Sequence, residues 1–157
     1  MNFEDICTQY KFANNIVNIR FSPFNNWKGQ TNPKRGFCQF NNVYACCRAF
    51  IILYNKRSSW SLRDFVTKFA PPSDGNNTER YINILCDMLN SWVIFPRGTK
   101  VYPFSCKTVV SNIDPFLLFL CMGKIESGLF YPFYTKFSHR FFEHFPNFKI
   151  NNSYYAN

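Results

Sequence analysis

The sequence is short of acid. Nine Asp and Glu stand against eighteen Lys and Arg, a formal net charge of +9. Such an excess attracts a polyanion: nucleic acid, anionic lipid or the acid-bearing polymers of a bacterial wall. The basic residues are scattered along the chain, which weighs against a dedicated nucleic-acid binder, whose cations gather on one face or stripe. Long apolar runs are lacking too. The longest, Pro115 to Gly123, is too short to cross a bilayer, so no transmembrane segment is expected. The opening Met1-Asn2-Phe3-Glu4-Asp5-Ile6-Cys7 is acidic and polar, unlike the basic and then apolar opening of a signal peptide.

Metal-ligand spacing is absent as well. There is no CxxC, and His139 and His144 stand five apart in the C-terminal part with no third ligand nearby, so neither metal nor cofactor is expected. The seven cysteines, an odd number without paired spacing, do not describe a disulfide framework and read as reduced, buried thiols. A cysteine nucleophile needs a His partner and an electropositive setting, and the sequence puts no His beside Cys38 or Cys106. What is abundant is aromatic: twenty Phe, nine Tyr and three Trp among 157 residues. That composition excludes disorder, and the length suits one domain, read as residues 1–149 followed by a flexible tail at 150–157. No repeat or long linker interrupts it.

Helical patterning dominates after residue 42. Asn42 to Tyr54 presents Ala45, Ala49, Phe50 and Leu53 on one face. Ser61 caps a helix to Phe69, with Asp64 at capping-box distance, and Pro71-Pro72 ends it. Asn77 or Thr78 starts a helix over Glu79 to Leu89, burying Tyr81, Ile82, Leu85 and Leu89. Asp114-Pro115 starts another, running to Ile125 or Glu126 and stopping near Gly128; it is apolar all round and so expected to be buried on most sides. A short helix is expected around Ser138 to Phe145. Before residue 42, short apolar runs between Asn, Pro and Gly predict loops, with Ile16 to Phe21 as a strand and Gly36 to Phe40 as its partner. A hairpin is a second option between Asn90 and Thr108. The expected fold is mainly α, a helical domain of at least five helices with a small N-terminal sheet or hairpin.

Four segments in order carry a resemblance. They are Asn14-Asn15-Ile16-Val17-Asn18-Ile19-Arg20; Trp27-Lys28-Gly29 with Gly36-Phe37-Cys38-Gln39-Phe40; Arg48-Ala49 with Leu53-Tyr54; and Phe69-Ala70-Pro71-Pro72 with Asn76-Asn77-Thr78-Glu79-Arg80-Tyr81-Ile82. Together they resemble the NNPGNIR, WxG, GFxxF, RA-x4-LxxY and WAPP-x4-NTxxYI pattern of small phage and prophage proteins, described variously as virion structural proteins or lytic enzymes. Ile16-Val17 replaces the family's Pro-Gly pair, Phe69 replaces its Trp, and Ala45-Cys46 stands where a helix-opening Gly is usual. A fifth segment, Glu126-Ser127-Gly128, is similar to the signature of goose-type lysozymes and soluble lytic transglycosylases. There it precedes the other motifs, so a circularly permuted lysozyme-like domain would account for the order.

The resemblance implies Glu126 as the catalytic acid/base. The residues agree: proton donation to a glycosidic oxygen needs a carboxyl still protonated near neutral pH, and an apolar helix end provides the burial that raises a carboxyl pKa. A single-carboxylate mechanism, with the substrate's own hydroxyl or acetamido group as nucleophile, would need no second acid. Asp74 and Glu79 are the secondary candidates; Glu79 is more simply a first-turn acid favoured by the helix dipole. Asn15, Asn18 and Arg20 either pin a loop or bind sugar hydroxyls and acetamido groups. Trp27, Gln39 and Tyr81 are candidates to line the cleft, although core packing suits a lone Trp equally well. The expected activity is a muramidase or lytic transglycosylase acting on bacterial peptidoglycan glycan strands, made in the cytoplasm without a signal peptide and acting at the wall or carried in a virion. The rival readings are a non-catalytic glycan- or protein-binding relative in a phage-derived assembly and, on charge and aromatics alone, a nucleic-acid binder.

Overall fold

The computed structural model describes residues 1–92 and 103–152. The fold is mainly helical. The described α-helices are α1 Phe3–Gln9, α2 Val43–Lys56, α3 Leu62–Phe69, α4 Thr78–Trp92, α5 Pro115–Ser127 and α6 Tyr134–His144, with 3-10 turns at Pro72–Asp74 and Val110–Asn112. Their starts follow local chemistry. The side-chain oxygens of Asn42, Ser61 and Asn77 accept from the N–H groups of Ala45, Asp64 and Arg80, and Asp114 accepts from Phe116 and Leu117 ahead of Pro115. Each satisfies amide donors that the first helical turn leaves without carbonyl partners.

Helix α5 is the centre of the molecule. Every residue from Pro115 to Gly123 is buried, and the helix packs against α2, α4 and α6. Around it the aromatics interlock. Phe119 meets Phe50 at 5.4 Å and Phe137 at 5.7 Å, while Phe116 meets Phe141 at 5.1 Å in an edge-to-face arrangement. Such pairs add about 0.5–1.5 kcal/mol each beyond the area they bury. No described helix is long and apolar enough to cross a membrane. All seven cysteines are free, and burial pushes the thiols of Cys7 and Cys121 up to about 12 and that of Cys38 up to about 11.

The N-terminal region departs from expectation in two places. Residues 3–9 form α1, nucleated by a capping box in which Asn2 and Asp5 exchange hydrogen bonds. The expected strand over Ile16–Phe21 does not form. Ile16 and Val17 lie in a turn, and Asn14 and Asn18 adopt left-handed backbone at φ 64° and 55°, which breaks the extended run. Pairing with Gly36–Phe40 survives only locally: Cys38 N–H donates to the Ile19 carbonyl at 2.9 Å, Phe21 N–H to Gly36 at 2.8 Å, and a single antiparallel bridge joins Arg20 to Phe37. The expected small sheet is therefore a set of isolated bridges.

Side chains hold this region instead. Asn15, fully buried, donates to the carbonyls of Ile19 and Cys38 and accepts from the Ile19 N–H, at 2.8–2.9 Å. Asn14 donates to the Phe40 carbonyl at 2.8 Å. Two glycines let the loops press onto helices: a Cβ on Gly29, itself at φ 79°, would lie 2.8 Å from the Ala45 Cβ of α2, and one on Gly123 would lie 2.8 Å from Ile16 Cδ1. At the other end, the chain expected to be loose from residue 150 is docked at its start. Asn151 N–H donates to Asn55, and buried Asn152 donates to the Ile113 carbonyl at 3.0 Å. Residues 153–157 of the expected tail, and most of the optional hairpin between Asn90 and Thr108, lie outside the described residues.

Candidate functional site

The contact between Ile16 and Gly123 sets the site. It brings the 14–20 loop against the C-terminal turn of α5, where Asn18 Nδ2 donates to the Glu126 carbonyl at 3.2 Å. That turn ends for local reasons. Ser127 Oγ donates back to the Gly123 carbonyl at 2.6 Å and accepts from the Leu129 N–H at 3.3 Å. Gly128 then reverses the chain at φ 77°, its N–H bonded to the Lys124 carbonyl. The Glu-Ser-Gly segment is thus a helix stop built from a serine back-bond and a left-handed glycine.

A cleft of about 300 Å³ opens beside this turn, lined by Asn18, Arg20 and Phe37 from the N-terminal region, Phe69, Ala70 and Asn76 around the end of α3, Tyr81 of α4, and Ile125 and Glu126 of α5. Its size is at the small end of ligand sites, about 300–1,000 Å³. The Glu126 carboxyl is half-buried, and that desolvation raises it from 4.5 to about 7. The negative end of the helix dipole opposes ionisation in the same direction. Among the described residues nothing ion-pairs with this carboxyl or hydrogen-bonds to it.

Polar groups surround it. The Tyr81 hydroxyl is buried without a hydrogen-bond partner, and its pKa rises through burial first and the nearby Glu126 charge second. Tyr10 donates to Asn18 Oδ1 at 3.0 Å, so Asn18 is held from both ends of its amide. Asn76 donates to the Pro71 carbonyl at 3.1 Å, fixing the loop after α3. The Arg20 guanidinium lies 5.0 Å from the centre of the Phe37 ring, a stacking that keeps a cation at the rim.

Of the residues singled out from sequence, Glu126, Asn18, Arg20 and Tyr81 converge on this cleft, although they lie up to 108 positions apart. Asn15, Trp27 and Gln39 do not line it. Asn15 is fully buried with its amide committed to backbone. Trp27 is a core residue, 8 % exposed, and Gln39 donates to the Asn32 carbonyl at 2.6 Å. Glu79 is bound in a bidentate pair with Arg63, which holds its carboxyl below the usual range. Asp74 closes the Pro72–Asp74 turn, and its side chain lies outside the described part of the structure. Cys38 is a poor nucleophile, buried with a raised pKa. Tyr10, Phe37, Phe69 and Asn76 escaped the sequence reading as site residues. Phe37, Phe69 and Asn76 lie inside the motif segments, whereas Tyr10 lies outside them.

No family model matches the chain, and no curated protein matches it.

Proposed function

We propose that the protein cleaves peptidoglycan glycan strands between N-acetylmuramic acid and N-acetylglucosamine, as a muramidase or lytic transglycosylase, with Glu126 as acid/base. The observation that carries this reading is a half-buried carboxyl at a helix end, held near pKa 7 in a cleft with a tyrosine hydroxyl that has no hydrogen-bond partner among the described residues. Protonated Glu126 donates to the glycosidic oxygen as the bond to the anomeric carbon breaks, leaving an oxocarbenium-like sugar. The same carboxylate then takes a proton from the nucleophile that attacks that carbon. Water as nucleophile gives hydrolysis; the substrate's own hydroxyl gives an intramolecular anhydro product. The route that uses the substrate's own group needs only this one carboxyl, and it is the route proposed. Tyr81 and Asn18 are suited to hold sugar hydroxyls and acetamido groups.

The test is turnover of purified peptidoglycan, with products separated into reducing-end and anhydro muropeptides. Wild type is expected to release anhydro species. Glu126→Gln keeps the shape and removes the transferable proton, so turnover should fall at least about a hundredfold, the usual contribution of a positioned acid. Equal activity of the two would remove Glu126 from the chemistry. Binding of glycan strands without any turnover by wild type would instead favour a non-catalytic glycan-binding relative.

A further inference from the structure

A second groove, sharing no residue with the cleft, gathers cations from three parts of the chain. Lys28 comes from the N-terminal loops, Arg48 from α2 and Lys149 from the segment after α6, with His144 also on the lining; the groove measures about 370 Å³. No carboxylate lines it, and Lys28, Arg48 and Lys149 have no acidic partner among the described residues. The nearby acids are engaged elsewhere: Glu4 with Tyr44 and Arg140, and Glu143 with Arg140. Two rings, Phe145 and Phe148, hold the cations in place. Lys28 lies 5.5 Å and Arg48 5.7 Å from the Phe145 centroid, and Arg48 lies 5.4 Å from that of Phe148. Both rings also pack on buried Phe141. The scattered charge of the sequence is therefore locally concentrated by folding.

Like charges brought together without counter-charge are stabilised by an anion. Phe145 has Lys28 and Arg48 over it, Phe148 has Arg48, and both pack on Phe141, so the rings serve to hold the cations rather than to stack on a nucleobase. From this we infer that the Lys28–Arg48–Lys149 groove binds the phosphodiester backbone of a base-free polyol phosphate chain. The groove takes phosphate groups by charge and hydrogen bonding, independently of the chemistry at Glu126.

The test is binding of the full chain to poly(glycerol phosphate), followed calorimetrically across a salt series, beside an oligothymidylate with the same number of phosphates. Lys28→Gln/Lys149→Gln removes two exposed groove cations and leaves Arg48 over both rings. Lys68→Gln/Lys107→Gln removes the same charge elsewhere and serves as the control. The groove variant should bind roughly tenfold more weakly at moderate salt, and its slope of log K against log salt should shrink by about 1.5, the release of two counterions. The control should stay within about twofold of wild type. Equal weakening by both variants would reduce the effect to net charge and overturn the assignment. Absence of binding, or tighter binding of the oligothymidylate than of the polyol phosphate, would also overturn it.

Discussion

The stretch from Tyr10 to Asn41 and helix α5 are built in opposite ways. In α5, position is fixed by burial: nine consecutive residues lose contact with water, the helix packs against α2, α4 and α6, and its rings meet those of α2 and α6. In the N-terminal stretch the backbone forms no strand, and buried amide side chains, those of Asn14 and Asn15, complete the hydrogen bonding that a sheet would otherwise supply. The difference teaches where the site comes from. An apolar helix can carry a carboxyl into a poorly hydrated place, but it has no polar groups to set around it. The irregular stretch provides those groups, and the missing side chain of Gly123 lets the two meet.

Destabilising substitutions should separate the two constructions. Phe119→Ala empties a fully buried ring site in the α5 core and should lower the unfolding free energy by about 3–5 kcal/mol. Asn15→Ala removes little volume but strands the Ile19 N–H and the Cys38 carbonyl, and leaves the Ile19 carbonyl with the Cys38 N–H alone. At about 1–3 kcal/mol for a stranded buried group, with partial relaxation, it should lose about 2–4 kcal/mol. Denaturant unfolding of both variants checks the pair. An Asn15→Ala loss under about 0.5 kcal/mol would mean that the loop is not held by its side chains.

The pH dependence of stability tests the other half of the comparison. Glu126 has a folded pKa near 7 against 4.5 for the unconstrained group, so between those values the native state holds a proton that the unfolded chain has released. Stability from this group is greatest below about pH 4.5 and falls as pH rises to about 7, by up to about 3 kcal/mol. Glu4 and Glu79, whose pKa values are lowered by Tyr44 and Arg63 respectively, act in the opposite sense at lower pH. The readout is therefore the difference between wild type and Glu126→Gln: the variant should gain on wild type as pH rises through 5 to 7. A constant difference across that range would contradict the burial of this carboxyl.

The smallest effect concerns the seam itself. Gly123→Ala places a methyl against Ile16, and Ile16→Val removes the carbon it meets. The double-mutant cycle should show a coupling of about 1–2 kcal/mol, with the alanine tolerated better beside valine. Additive effects would show that loop and helix do not press together at this point.

The parts of this architecture that were legible in the sequence are those fixed by local chemistry. Ser61, Asn42 and Asp114-Pro115 announce helix starts because a cap acts within three residues, and the unbroken apolar run after Pro115 announces burial. The strand expected at Ile16–Phe21 does not form, although Val17, Ile19 and Phe21 alternating with Asn18 and Arg20 imitate a half-buried strand. The pattern conceals that Asn18 turns left-handed and that Asn15 folds back onto Ile19. The opening reads in sequence only as acidic and polar, although Asn2 and Asp5 already form the pair of a capping box and Glu4 is a first-turn acid. At the site, Glu126 was legible from its helix and its Ser-Gly ending. Asn15 and Asn18 look equivalent in sequence, and only the packing of Ile16 against Gly123 decides which amide is buried and which reaches the cleft.

The central claim, a carboxyl at the end of α5 kept protonated toward neutral pH, is tested most directly by titrating it. In protein carrying carbon-13 at the glutamate side-chain carboxyls, the Glu126 resonance, assigned by its disappearance in Glu126→Gln, should move with a midpoint near 7. A midpoint near 4.5, the value of an ordinary solvated glutamate, would contradict the account.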